Sequence, residues 1–164
     1  MQQPNALAEL NVLLEKSDVD DSAWAEYDYE EGEVLLAKLD SHDRAALFLS
    51  VRAKPVNWRR CFVSILHPSK PDEGEALVGA LHDGDEEVVY EALSRLYFFC
   101  GFIDSARKGV FQDGRRQIAS LWERVRQDQD VLLRMQELSQ ARRYYAAYWY
   151  LLAEAAAPGQ NLHE

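Results

Sequence analysis

Apolar side chains recur at intervals of three and four along most of this chain, the spacing that lines one face of an α-helix. The clearest run lies between Glu73 and Ile103, where Leu77, Val78 and Leu81 form one stripe and Val89, Ala92, Leu93, Leu96, Phe99, Cys100 and Ile103 form a second. Between the two stripes, Gly84 stands where a helix commonly stops in a left-handed conformation, and Asp85 can cap the helix that follows. Glu86, Glu87, Glu91 and Arg95 fall on the opposite side, with Glu91 four residues before Arg95, the order that favours an ion pair along a helix. Two antiparallel helices joined by a tight turn are predicted here, and the remaining elements are read as organised around this pair.

The same pattern extends in both directions. Asn5 can cap a first helix through Leu7, Leu10, Leu13 and Leu14, ending near Lys16. Val34, Leu35, Leu36 and Leu39 predict a further turn or two. Asp40 or Ser41 then caps a helix through Leu47 and Val51, stopped by Lys54-Pro55 because a residue before proline is pushed out of helical geometry. Asn57 is expected to cap a partner helix carrying Trp58, Phe62, Ile65 and Leu66, and Asp72 with Glu75 makes a capping-box-like start for the organising pair. Beyond Ile103 the pattern predicts a weak helix over 105–111, a break at Gly114, and a stripe of Ile118, Leu121, Trp122 and Val125. A last element opens at Asp130, as one long helix or as two broken near Ser139. The only hint of strand is a short piece around Tyr27 to Val34.

These elements predict an all-α fold of about seven or eight helices, in antiparallel pairs whose starts near 41, 72, 105 and 130 repeat at about 30 residues, the range of stacked helical repeats. A chain of 164 residues is expected to be one domain. Its N-terminal helices and acidic-aromatic segment would occupy 1–40, its helix pairs 41–157, and a flexible tail 158–164.

Charge adds a first functional constraint. The formal net charge is −10, which argues against a general binder of nucleic acid, whose phosphates demand Lys and Arg. A cationic protein is the natural complement. The acid is concentrated: Asp18, Asp20, Asp21, Glu26, Asp28, Glu30 and Glu31 lie between Ser17 and Gly32 with no Lys or Arg among them, interleaved with Trp24, Tyr27 and Tyr29. Two readings stand side by side. In one, the carboxylates steer a cationic partner and the rings anchor it; in the other, the carboxylates are a solvated loop and the rings fold onto the core. A second aromatic cluster, Tyr144, Tyr145, Tyr148, Trp149 and Tyr150, covers more than one helical face. If Tyr145 and Trp149 pack inward, Tyr144 and Tyr148 are left beside Arg142 and Arg143 as interface candidates; the alternative is a terminal helix buried all round.

Between residues 105 and 143 the balance reverses and Arg outnumbers acid, through Arg115, Arg116, Arg124, Arg126 and Arg134 among others, but these fall on several helix faces. Cys61 and Cys100 lie in apolar helical patterns and read as buried free thiols of a reduced compartment. The N-terminus lacks a basic stretch followed by an apolar run, and no apolar cluster reaches membrane-spanning length, so a cytoplasmic protein is expected. The chain has no glycine-rich phosphate loop, no zinc-ligand spacing and no Gly-flanked serine, and neither a metal nor another cofactor is expected.

Three resemblances sharpen these expectations. Over about twenty residues, ALVGALHDGDEEVVYEALSRL is similar to one unit of the HEAT-like helical repeat family, in which an apolar helix ends at an Asp- or Gly-containing turn and an acidic cap leads into a second helix; Leu77, Leu81, Asp83, Asp85, Val88, Val89, Ala92 and Leu93 carry the match. The resemblance implies a scaffold that holds other macromolecules, mostly proteins, on helical surfaces. The small, acidic, cysteine-poor, all-helical character also resembles bacterial immunity proteins, which implies a partner that is a toxin and no catalysis. Finally, His82-Asp83, with His42 or His67 upstream and Asp104 or Asp113 downstream, resembles the metal-dependent HD phosphohydrolases; that resemblance implies a metal-activated water held by those residues, whereas the turn-and-cap pattern explains Asp83-Gly84-Asp85 without chemistry.

Overall fold

The computed structural model describes residues 5–104 and 115–141, and among these the protein is all-α with no strand. Its backbone divides into two compact units, Met1–His67 and Pro68–Glu164. No helix among the described residues is long and apolar enough to cross a membrane.

In the first unit, α1 (Ala6–Lys16) begins at Asn5, whose side chain accepts the Leu7 N–H as expected of a cap. The chain then turns through 17–21, enters helix at Ser22, widens into one π turn over Trp24–Asp28, and continues directly as α2 (Tyr29–Lys38). The short strand expected around Tyr27 to Val34 is therefore helix: buried Trp24, Gly32, Leu35 and Leu36 recur at helical rather than alternating spacing. Ser17, at the end of α1, donates to Asp28 at 3.3 Å, so α1 and α2 run antiparallel. Asp40 caps α3 (Ser41–Ser50) by accepting the Asp43 N–H at 2.8 Å. A 3-10 turn over Val51–Ala53 leads to α4 (Val56–Ser64), which starts after Pro55. Asn57 is not its cap; its amide instead donates to Ser17 O at 2.6 Å, tying α4 to the end of α1. The core joins Leu10, Leu13 and Leu14 of α1 to Leu35 and Leu36 of α2 and to Trp58, Cys61 and Phe62 of α4. Within it the Trp58 and Phe62 rings stack at 5.1 Å, and Phe48 of α3 meets Phe62 edge-on at 5.4 Å.

The second unit contains α5 (Pro71–Ala80), α6 (Glu86–Asp104), α7 (Arg115–Gln127) and α8 (Gln129–Ala141). The organising pair is present, with two corrections. Helix α5 has Pro71 in its first turn and Lys70 before it, so Asp72 is not its cap, although Asp72 accepts the Glu73 N–H at 2.9 Å. Its exit is not a left-handed glycine. Leu81, His82 and Asp83 close successive tight turns onto Val78 O, Gly79 O and Ala80 O, and Gly84 adopts no positive φ. Asp85 does cap α6, accepting the Glu87 N–H at 2.9 Å. The five-residue turn makes α5 and α6 antiparallel. Helix α7 runs alongside α5, held by Arg124, which forks onto both Glu75 carboxylate oxygens at 2.5 and 3.2 Å. Asp128 separates α7 from α8 and caps α8 by accepting from Asp130 and Val131. Helix α8 is continuous through Ser139 to Ala141, so no break occurs there; the helix expected over 105–111 lies outside the described residues. Leu77, Leu81, Val89, Leu93, Leu96, Ile118, Leu121 and Met135 form the interior of this unit.

Two glycines of α5 separate packing from propensity. A Cβ on Gly74 would stand 2.5 Å from buried Leu121 Cδ1 and 3.1 Å from Pro68 O, whereas one on Gly79 meets nothing within 4 Å. Removing a helical glycine is worth about 0.5–1 kcal/mol, and overpacking costs about 1–3 kcal/mol. Gly74→Ala is therefore expected to destabilise by about 1–2 kcal/mol and Gly79→Ala to stabilise by about 0.5–1 kcal/mol, read as opposite shifts of the urea midpoint.

The Arg124 hydrogen bond holds the Glu75 carboxyl below its ordinary value of 4.5. A depressed acid contributes stability above its unfolded value and loses it as pH falls through the folded one. Glu75→Gln is expected to cost at most about 1 kcal/mol at neutral pH, since the pair is exposed. The difference from the parent should fade as pH drops below about 4.5, which urea titrations at several pH values would measure.

Candidate protein-docking surface

The acidic-aromatic segment is not a loose loop, and its residues have different fates. Trp24 is 3% exposed, and its indole N–H donates to Ser64 Oγ at 3.1 Å, so this ring belongs to the unit's own core. Of the two readings of that ring, the inward one describes its position, because the indole is apolar over most of its area and finds its one partner on α4. Tyr29 is half-buried and donates to Glu33 at 2.8 Å, one turn along α2. Tyr27 points the other way and is 71% exposed.

The carboxylates divide similarly. Asp18 accepts the Asp20 N–H at 3.0 Å and Asp21 the Ala23 N–H at 3.0 Å, which fixes the turn between α1 and the π turn. Asp20 receives both guanidinium nitrogens of Arg60, at 3.0 and 3.2 Å. Asp28 is half-buried against Ser17. Glu26, Glu30 and Glu31 are exposed, and so is Val34 at 52%. Glu30 and Glu31 lie four and three residues before Val34 on the exposed side of α2, and Tyr27 is exposed in the π turn that leads into that helix. Tyr144 and Tyr148 lie outside the described residues.

The His-Asp pair resolves into local structure. His82 Nε2 lies 3.0 Å from Asp128 Oδ2, and Asp83 accepts the Asp85 N–H at 2.9 Å inside the α5–α6 turn. His42 and His67 belong to the first unit, Asp113 lies outside the described residues, and neither His82 nor Asp83 joins a group of ligand atoms close enough to share an ion among those residues. One such group is Asp40, His42 and Asp43, whose ligand atoms lie within 4.8 Å of one another. It sits at the exposed N-terminus of α3, where Asp40 already caps the helix and the helix dipole opposes a cation.

Sequence reasoning did not separate Tyr27 from its two aromatic neighbours, because the π turn between Trp24 and Gly32 shifts the helical phase and spacing alone gave no sign of which ring would be covered. Trp24→Ala is expected to destabilise the protein by about 3–5 kcal/mol, whereas Tyr27→Ala should change stability by less than about 0.5 kcal/mol, both measured by chemical denaturation. No family model, no curated protein and no solved structure matches the chain.

Proposed function

We propose that this protein is a non-enzymatic protein-binding module, and specifically an immunity protein that neutralises a cationic toxin domain by docking on it through Tyr27 of the π turn and the outer face of α2 that follows it. The observation that carries the reading is Tyr27, a ring 71% exposed on a helix otherwise well packed, set beside exposed carboxylates and a half-exposed valine. Large exposed rings flanked by charge are the composition of interface hot spots, and a tyrosine loses little rotamer freedom when it is covered. Glu26, Glu30 and Glu31 would contribute chiefly to the rate and selectivity of encounter with a basic surface, because exposed charges are screened at physiological salt. Trp24 supports the surface from beneath without touching the partner, and Asp18, Asp20 and Asp21 hold the approach to it.

The test pairs the purified protein with the product of the adjacent gene. Binding should be measurable by calorimetry, and co-expression should rescue cells from that product. Tyr27→Ala is expected to weaken binding by about 2 kcal/mol, about 30-fold in Kd. Glu30→Gln with Glu31→Gln should lower the association rate and flatten its salt dependence while leaving the dissociation rate nearly unchanged. A neighbouring product that is neither toxic nor bound would overturn the immunity reading. Tight binding indifferent to all three substitutions would overturn the α2 face.

A further inference from the structure

In the second unit, the turn at Gly84–Glu86 and one side of α8 enclose an open cleft of about 700 Å³. The α8 wall is formed by Asp130, Leu133, Arg134, Glu137 and Leu138. These positions recur at three, four, seven and eight, a single stripe along the helix, so Asp130 and Glu137 stand about 10 Å apart along its axis at 1.5 Å per residue. Leu133 lies between them and is 58% exposed. Arg134 is turned to the opposite wall, where its Nη2 donates to Gly84 O at 3.3 Å. Among the described residues of the lining, the cation Arg134 is thus tied to the backbone, and acid borders an exposed leucine.

We propose that this cleft is a docking site for a cationic amphipathic helix of a protein partner, one whose Lys or Arg side chains recur a heptad apart around an apolar residue. The basic groups would reach Asp130 and Glu137 while the apolar residue covers Leu133 and Leu138. Charge complementarity selects this occupant, since among the described lining residues Asp85, Glu86, Asp130 and Glu137 outnumber Arg134, and an anionic surface or nucleic acid would be repelled. The spacing selects a helix, because one heptad of a partner helix advances by the same 10 Å or so as the interval from Asp130 to Glu137. This site uses none of the α2 residues and stands independently of the reading given to them.

The probe is a synthetic helical peptide of about 20 residues in which Lys and Leu repeat at heptad spacing, long enough to hold a helix on a surface. Titrated into the full chain by fluorescence anisotropy, it is expected to bind with a micromolar Kd. Asp130→Asn combined with Glu137→Gln, both isosteric and at exposed sites, should weaken it about tenfold, and Leu133→Ala should weaken it about threefold or more. Circular dichroism of the variants should match the parent, and Tyr27→Ala should leave the affinity unchanged. A scrambled peptide of the same composition binding as tightly, or cleft variants binding as well as the parent, would overturn the proposal. So would displacement of the peptide by spermidine at equal concentration, which would mark a site for small polycations.

Discussion

The burial of one indole decides what the acidic part of this chain becomes. Trp24 places its ring under α4 and its N–H on Ser64 Oγ, forty residues away in sequence. With that ring fixed inward, residues that would otherwise form a charged, solvated loop are drawn into a helix continuous with α2. The wide π turn accommodates the connection: the Tyr29 N–H reaches back five residues to Trp24 O, absorbing an extra residue before the regular spacing of Gly32, Leu35 and Leu36 resumes. Tyr27, three residues on from the buried ring, stays exposed. An exposed tyrosine on a rigid helix costs a partner less ordering entropy than the same ring on a mobile loop.

The distribution of acid along that segment follows from what each carboxylate touches. Asp18 and Asp21 accept local backbone N–H groups, Asp20 is forked by Arg60, and Asp28 meets Ser17, so these four shape the approach to α2. Glu26, Glu30 and Glu31 are exposed on the helix itself. Glu26 and Glu30 are four apart, an arrangement of like charges that destabilises an isolated helix by about 0.2–0.5 kcal/mol. The favourable interaction of acids with the start of a helix, about 0.3–1 kcal/mol, offsets this at the first turn only. The arrangement is thus nearly neutral for folding, and in the proposed docking these three side chains would act on the encounter with a cation rather than on stability.

What could be read in the chain before its structure was known depended on how local each determinant is. Asn5, Asp40 and Asp85 cap their helices as expected because a cap is decided within three residues. Asn57 has the same chemistry but serves Ser17 O, and only the packing of α4 on α1 brings the two together. Gly84 offered a left-handed stop that the chain does not use, because successive tight turns from Leu81 to Asp83 satisfy the α5 carbonyls first. In the candidate docking face, composition showed that acid and rings coincide, yet three aromatics within six residues gave no direct sign of which would be covered. The cleft beside α8 had no sequence signal, since its walls come from residues about 45 apart whose approach depends on α6, α7 and α8 packing together.

The His82-Asp83 turn shows how polar residues in the second unit are turned toward the chain. His82 faces Asp128 at the α7–α8 junction, Asp83 holds the backbone of Asp85, and Asp85 caps α6, so a sequence of three side chains fastens the ends of α5, α6 and α7 to one another. Arg124 on Glu75 and Arg134 on Gly84 O extend the same fastening along α7 and α8. A water-activating centre needs imidazole and carboxylate atoms converging on one common position. Among the described residues, His82 faces Asp128 and Asp83 accepts the Asp85 N–H, and neither belongs to a group of ligand atoms close enough to share an ion. Both side chains make helix-end contacts in this turn, which also forms one wall of the α8 cleft. In the docking proposed at this cleft, a wall that does not rearrange would let Asp130, Leu133 and Glu137 meet a partner at a fixed spacing.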